Sequence, residues 1–238
     1  MEMKQPKYRR VLLKLSGEAL AAGVEDILNF DFIRTIADVI KKCQAAGIQV
    51  AVLCGAGNIW RGRQGGKMNR TRADHMGMLA TTINALALKD TFEQEGIDSV
   101  VLSAVKMDTF ADFYTARAAV EALEAGKLVI LGGGTGLPYF STDTAAALRA
   151  AEIEADVVLM AKNIDAIYSA DPKLDPTATR YEELTYMEIL EKNLRALDMS
   201  AATFCQDNNI RCYAFGLSDP ENIYRVVMGE RIGTEIHN

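Results

Sequence analysis

Three apolar runs in this sequence each end in small residues. Lys14-Leu15-Ser16-Gly17 closes the run at 11–15, Gly55-Ala56-Gly57-Asn58 follows the run at 48–54, and Gly132-Gly133-Gly134-Thr135-Gly136 follows 127–131. Glycine has no Cβ and accepts positive φ, so such loops bring backbone N–H groups close to a bulky anion, and a following helix adds partial positive charge at its amino end. One such loop alone reads as a tight turn. Three together, with Lys14 and Arg61 beside them, point to phosphate. Lys14 is the most telling residue: an ammonium inside a short apolar run must be paired or must emerge at the strand end, because burying it alone costs several kcal/mol, of order ~5. It reads either as a structural ion pair or, preferably, as a cation aimed at phosphate oxygens.

Acidic residues complete the set. Asp143 opens an alanine-rich helix, with Ser141 or Thr142 as its N-cap, and Asp198 precedes another helix. Each is an ordinary partner for a helix dipole; beside phosphates, each could also orient a cation or hold Mg²⁺ through water. Asp74 reads as an N-cap that could accept from ribose hydroxyls, and the neighbouring His75 as a packing or hydrogen-bonding residue. The usual phosphate signatures are absent: there is no G-x-x-x-x-G-K-[ST], and no glycine cluster extends to G-x-G-x-x-G.

The elements that must position these residues alternate along the chain. Strands are expected at 11–15, 48–54, 99–105, 127–131, 156–161 and 210–215. Helices are expected at 29–43, 75–89, 111–125, 144–154, 186–193 and 201–208. Short apolar strands alternating with helices imply a mainly parallel sheet covered on both faces, an α/β architecture whose ligands lie beyond the carboxyl ends of the strands. The segment 169–184, with two Asp-Pro pairs and many charges, reads as a long loop. No linker interrupts residues 1–238, which suits a single domain.

Composition narrows the partners. A net charge of −6 argues against general nucleic-acid binding, and no stretch approaches the ~20 apolar residues of a membrane span. The basic amino-terminal stretch MEMKQPKYRR leads into too short an apolar segment for a signal peptide, which suggests a cytoplasmic protein. Cys43, Cys54, Cys205 and Cys212 lie far apart, and with only two histidines they allow no zinc spacing, so they read as buried free thiols and no protein metal site is expected.

Longer motifs carry a resemblance. KLSGEAL (14–20), GNIWRG (57–62), DHMGMLAT (74–81), GTGLPYFSTDTAA (134–146), EIEADVVLMAKNIDAIYSADP (152–172) and DPTATRYEELTY (175–186) occur in order over nearly the whole chain. Together they resemble the bacterial UMP kinases, a branch of the amino acid kinase family. DHMGMLAT and the segment from GTG to STD are particular to that branch, whereas KLSG indicates only the wider family.

The resemblance implies a three-layer αβα sandwich with a central, mainly parallel sheet. It also implies transfer of the γ-phosphoryl group of Mg²⁺-bound ATP to UMP, in pyrimidine nucleotide biosynthesis. By similarity Lys14, Leu15, Ser16 and Gly17 hold ATP phosphates, while Gly57 and Arg61 line the transfer channel. Asn163, Tyr168 and Asp171 form the adenosine end, with Lys162 the alternative to Asn163 because that loop varies in length among relatives. Gly55 and Ala56 face the UMP phosphate, Asp74 binds the ribose, and Thr135, Gly136, Leu137, Pro138, Tyr139, Phe140, Ser141 and Thr142 wrap UMP. Lys14, Arg61, Asp143 and Asp198 form the catalytic set. The resemblance further implies a homohexamer with GTP and UTP as effectors. This chain departs from the usual pattern at Ala56 and Ala166, where glycine is common, and at Leu137, where asparagine is common.

Overall fold

The structure is a computed structural model describing residues 5–61, 66–194 and 196–238. Residues 1–4 of the basic amino-terminal stretch and Gly62, the last residue of GNIWRG, lie outside the described residues.

The central strands β1 (Arg10–Leu15), β2 (Gln49–Cys54), β3 (Ser99–Ser103), β5 (Leu128–Gly132), β6 (Val157–Lys162) and β10 (Cys212–Gly216) are the apolar runs read from the sequence. Two-residue β4 (Asp112–Phe113) edges them at one side; β11 (Thr234–His237) and β9 (Glu183–Thr185) complete the other. The sheet runs β4-β3-β5-β2-β1-β6-β10-β11-β9, parallel throughout except where β10 meets β11. A small antiparallel pair, β7 (Ile167–Tyr168) with β8 (Arg180–Tyr181), stands apart from it.

Side chains alternate across each strand, and the two faces feed two apolar layers. Val11, Leu13 and Leu15 of β1 and Val157, Leu159 and Ala161 of β6 pack with α1 (Gly17–Leu20), α2 (Phe30–Ala45), α3 (Arg70–Gln94) and α8 (Asn222–Val227). Leu12, Val158 and Met160 pack on the other face, with α4 (Ala116–Glu124), α5 (Thr142–Glu152), α6 (Tyr186–Glu191) and α7 (Met199–Asp207). The result is the expected αβα sandwich. It also fixes where the strand-end cations go: Lys14 shares parity with Leu12, and Lys162 with Met160, so both emerge on the side of α5 and α7.

Several element boundaries differ from expectation. Helix α3 starts at Arg70, capped by Asn69 accepting from Arg72 N, so Asp74 lies inside the helix and is not its N-cap. The segment expected as one helix at 111–125 begins with β4 and a Thr115 cap before α4. The loop at 169–184 contains β8 and the first residues of β9. Past 215, α8 and β11 extend the fold. All four cysteines are buried and free. Among the described residues no helix is long and apolar enough to cross a membrane.

Candidate active site

From β1 the chain moves to β2 on one flank, while β6, on the other flank of β1, leads on toward β10. Connections diverge between β1 and β6, and that crevice is where open α/β sheets place ligands. Lys14 stands one residue from the end of β1, directed at the start of α5. Its Nζ lies 2.9 Å from Asp143 Oδ1, with the two side chains 15% and 21% exposed. Burial alone pushes the Asp143 carboxyl up, but the charges of Lys14 and Lys162 outweigh it and hold the group below its ordinary value. Asp143 is therefore ionised at neutral pH.

The cap reading of the helix starts holds. Ser141 caps α5 by accepting from Asp143 N at 3.0 Å and Thr144 N at 3.1 Å. Asp198 caps α7 by accepting from Ala201 N at 2.9 Å. The Ser141 hydroxyl donates in turn to the Asp198 carboxylate, and Thr144 adds a longer bond at 3.3 Å. Two helix amino termini are thus tied to each other beside Lys14, which fixes both carboxylates relative to the sheet.

The glycine loops prove to be packed as well as open. A Cβ on Gly17 would lie 2.6 Å from both Gly55 O and Gly57 N, so its glycine lets the first loop nest against the second. Gly134 has φ +61 with open space around it, and there the backbone conformation itself selects glycine. Three polar side chains that the sequence reading missed hold these loops. Fully buried Asn84 of α3 donates to Gly55 O at 2.8 Å and shares a bond with Asn58 at 2.9 Å. One helical turn earlier, Thr81 Oγ1 accepts from Gly133 N at 3.0 Å. Arg149, 5% exposed on α5, stacks 4.0 Å over Tyr114, pairs with Glu152 and donates to Gly134 O at 3.3 Å. The signal in the sequence is weak: Asn84 and Arg149 are each a single polar residue between apolar neighbours in a helix.

A cleft of about 320 Å³ opens over these loops. Lys14, Ser16, Gly17, Gly57 and Arg61 line it, as do Gly55, Ala56, Asp74, Thr135, Leu137, Phe140, Ser141 and Thr142. Leu15 is buried beneath. Gly136, Pro138 and Tyr139 belong to the same segment without facing the cleft. Arg61 is ion-paired with Glu18 at the mouth. Asp74 accepts from Arg70 Nε at 2.8 Å and from Tyr139 N at 2.8 Å, which ties α3 to the segment after the third glycine loop. His75 is exposed and makes no side-chain hydrogen bond among the described residues, so neither the packing nor the bonding expected of it is present.

Asp143 and Asp198 face a second cavity, of about 330 Å³, together with Lys162 and apolar residues of α6 and α7. The Lys14–Asp143 pair and the Ser141–Asp198 bond therefore form a wall between the two spaces. Asn163, Tyr168 and Asp171 line neither cavity. Asn163 is exposed, Tyr168 donates to Asp165 at 3.0 Å, and Asp171 accepts from Lys173 N at 2.9 Å in its own turn. Among the described residues no group of three or more His, Cys, Asp or Glu side chains is placed to hold a metal. Asp143 and Asp198, behind the wall of the glycine-loop cleft, fit Mg²⁺, which keeps most of its waters and takes one or two carboxylates plus substrate phosphates.

A strand-end cleft floored by glycine loops, with a Lys–Asp pair in its wall, suits a phosphorylated ligand. The chain is similar to the crystal structure of UMP kinase from Bacillus anthracis, at 33% identity with a TM-score of 0.93, over 97% of this chain and 96% of that one. It is similar to UMP kinase from Ureaplasma parvum at 37% identity and a TM-score of 0.92, over 98% and 100% of the two chains. Uridylate kinase from Archaeoglobus fulgidus follows at 30% identity and a TM-score of 0.73, over 95% and 99%. The family model described as the amino acid kinase family matches residues 9–216, so this chain belongs to the amino acid kinase family.

Proposed function

We propose that this protein transfers the γ-phosphoryl group of ATP to UMP, giving ADP and UDP. The observation that carries this reading is the cleft floored by the three glycine loops, with Lys14, 2.9 Å from Asp143, at its wall, in a fold shared with UMP kinases. UMP occupies the first cavity, its phosphate over Gly55, Ala56 and Gly57, its ribose at Asp74, and its remainder wrapped by 135–142. ATP approaches from the β6 side, its phosphates reaching Ser16 and Gly17, its adenosine end at Asn163, Tyr168 and Asp171.

The UMP phosphate has its second pKa near ~6, so at neutral pH its attacking oxygen needs no general base. The work left to the protein is to hold two polyanions in line and to stabilise charge on the group in transit. Lys14 and the loop amides supply that stabilisation, Asp143 and Asp198 orient the cations, and Arg61 guards the mouth. Mg²⁺ bound with ATP neutralises phosphate charge, with Asp143 and Asp198 the protein groups that would hold it.

The whole chain acts as one domain in the cytoplasm, in pyrimidine nucleotide synthesis. It assembles as a homohexamer with GTP and UTP as effectors; the exposed Met76, Leu79 and Ile83 on the outer face of α3 support association between copies. The test is ADP formation by the purified protein from Mg·ATP with UMP, CMP, dUMP, glutamate or aspartate as acceptor. Turnover with UMP above all others is expected; equal or greater turnover with an amino acid would overturn the assignment.

A further inference from the structure

The cations at the two cavities differ in what holds them. Lys14 is paired with Asp143, Arg61 with Glu18, and Arg70 with Asp74. Lys162, the last residue of β6, is held by a neutral group: its ammonium donates to Ala196 O at 2.5 Å and makes no ion pair among the described residues. An ammonium carries three donors, and a single acceptor leaves two for the cavity it lines with Asp143 and Asp198. Burial pushes its pKa down, Asp143 opposes that shift, and Lys14 adds to it. A cation kept at such a cost, with donors to spare, is stabilised by an anion entering the cavity.

Its position supports the same role. β6 pairs with β1 in parallel register, Met160 opposite Lys14, so Lys162 lies just beyond Lys14 on the same face of the same crevice. Resting on the ATP:UMP reading above, we propose that Lys162 is a further catalytic cation beside Lys14 and Arg61, exchanging the Ala196 carbonyl for an oxygen of the terminal phosphate of ATP. A UMP phosphate oxygen forms its bond to the γ-phosphorus as the bond from that phosphorus to the β,γ-bridging oxygen breaks. The electron pair leaves with ADP. Lys162 stays an ammonium throughout, taking and giving no proton.

The competing role is a strut that fastens the segment before Asp198 through Ala196. The two separate by their dependence on the γ-phosphate. Calorimetric titrations of the full chain with Mg·ATP, Mg·ADP and UMP, and steady-state kinetics, are compared for wild type, Lys162→Met and Lys162→Gln; the glutamine retains a neutral donor for Ala196 and serves if the methionine variant does not fold. The proposal expects kcat to fall about 10²-fold, as for loss of a preorganised charge stabiliser. It also expects ATP affinity to fall roughly tenfold more than ADP affinity, the size of one charge-assisted hydrogen bond, with UMP affinity unchanged. Equal losses for ATP and ADP, or a kcat within about threefold of wild type, overturn it. A wild type with no UMP-dependent turnover sinks the acceptor assignment instead, and the ratio of ATP to ADP affinity still reports on Lys162.

Discussion

The two ends of the crevice are built in different ways. The loops under the first cavity are clamped from inside: Asn84 and Thr81 reach them from α3, Arg149 from α5, and all three are buried. The β7–β8 hairpin, at the proposed adenosine end, is fastened mostly to itself. Its two strands pair over two residues each, and its turns rest on Asp171 accepting from Lys173 N and Asp175 accepting from Thr177 N, each at 2.9 Å. Its ties to the main sheet converge on β11 and the residue pair before it: Ile167 N donates to Thr234 Oγ1 at 2.9 Å, Thr234 Oγ1 to Tyr181 O at 2.6 Å and Arg180 to Ile232 O at 3.1 Å. Backbone amides that must meet a phosphate in transit need fixed positions, since misplacement is costly in rate. A clasp on a base and sugar makes no such demand and can be drawn from the less stable part of the fold.

The sharpest way to break this contrast is Lys14→Met, which removes one side of the wall between the cavities. We expect kcat to fall by about 10²-fold or more with the fold retained; near-normal turnover in a folded variant would remove Lys14 from the chemistry. Gly17→Ala comes next. Its methyl cannot fit 2.6 Å from Gly55 O and Gly57 N, so the loops must part, at about 1–3 kcal/mol in urea unfolding and with a higher KM for both substrates. Asn84→Ala leaves buried Gly55 O with only the weak Cys54 thiol donor, at 3.2 Å, and a loss of about 1–3 kcal/mol is expected. An unchanged urea midpoint would show that the clamp is ornamental.

A pH comparison is gentler. The folded pKa of Asp143 lies below its unfolded value of about 3.9. Its contribution is therefore complete above that pH and is lost as the pH falls through the folded value. Between pH 6 and pH 3 the urea midpoint should drop more in wild type than in Asp143→Asn; equal drops would contradict the ion pair. The smallest effect is expected at the hairpin, where Asp175→Ala should change stability by no more than about 0.5 kcal/mol. A loss as large as that of Asn84→Ala would erase the contrast between the two ends.

How much of this could be read in advance depended on the kind of signal. Apolar runs announced the central strands because parallel strands are buried on both faces and need little else to be recognised. Short edge elements such as β4 and β9 carry two or three residues and lack such runs. Asp74 has the residue type of an N-cap, yet Asn69 supplies the cap and the helix runs through Gly77. Lys14, Asp143 and Asp198 were legible because charges at strand and helix ends are few and their options limited. Asn84 and Arg149 were not, because a polar residue in a helix is ordinarily a solvated one. Only the packing reveals that these two are buried under loops whose carbonyls they satisfy.

Thr81 and Asn84 sit three residues apart on one helix and grip two different loops. The helix is therefore a common chassis, and the loops it carries cannot be tuned one at a time. Redesign of this scaffold for a larger or smaller acceptor would have to begin on α3, because a change in loop sequence alone would be pulled back to a spacing the helix dictates.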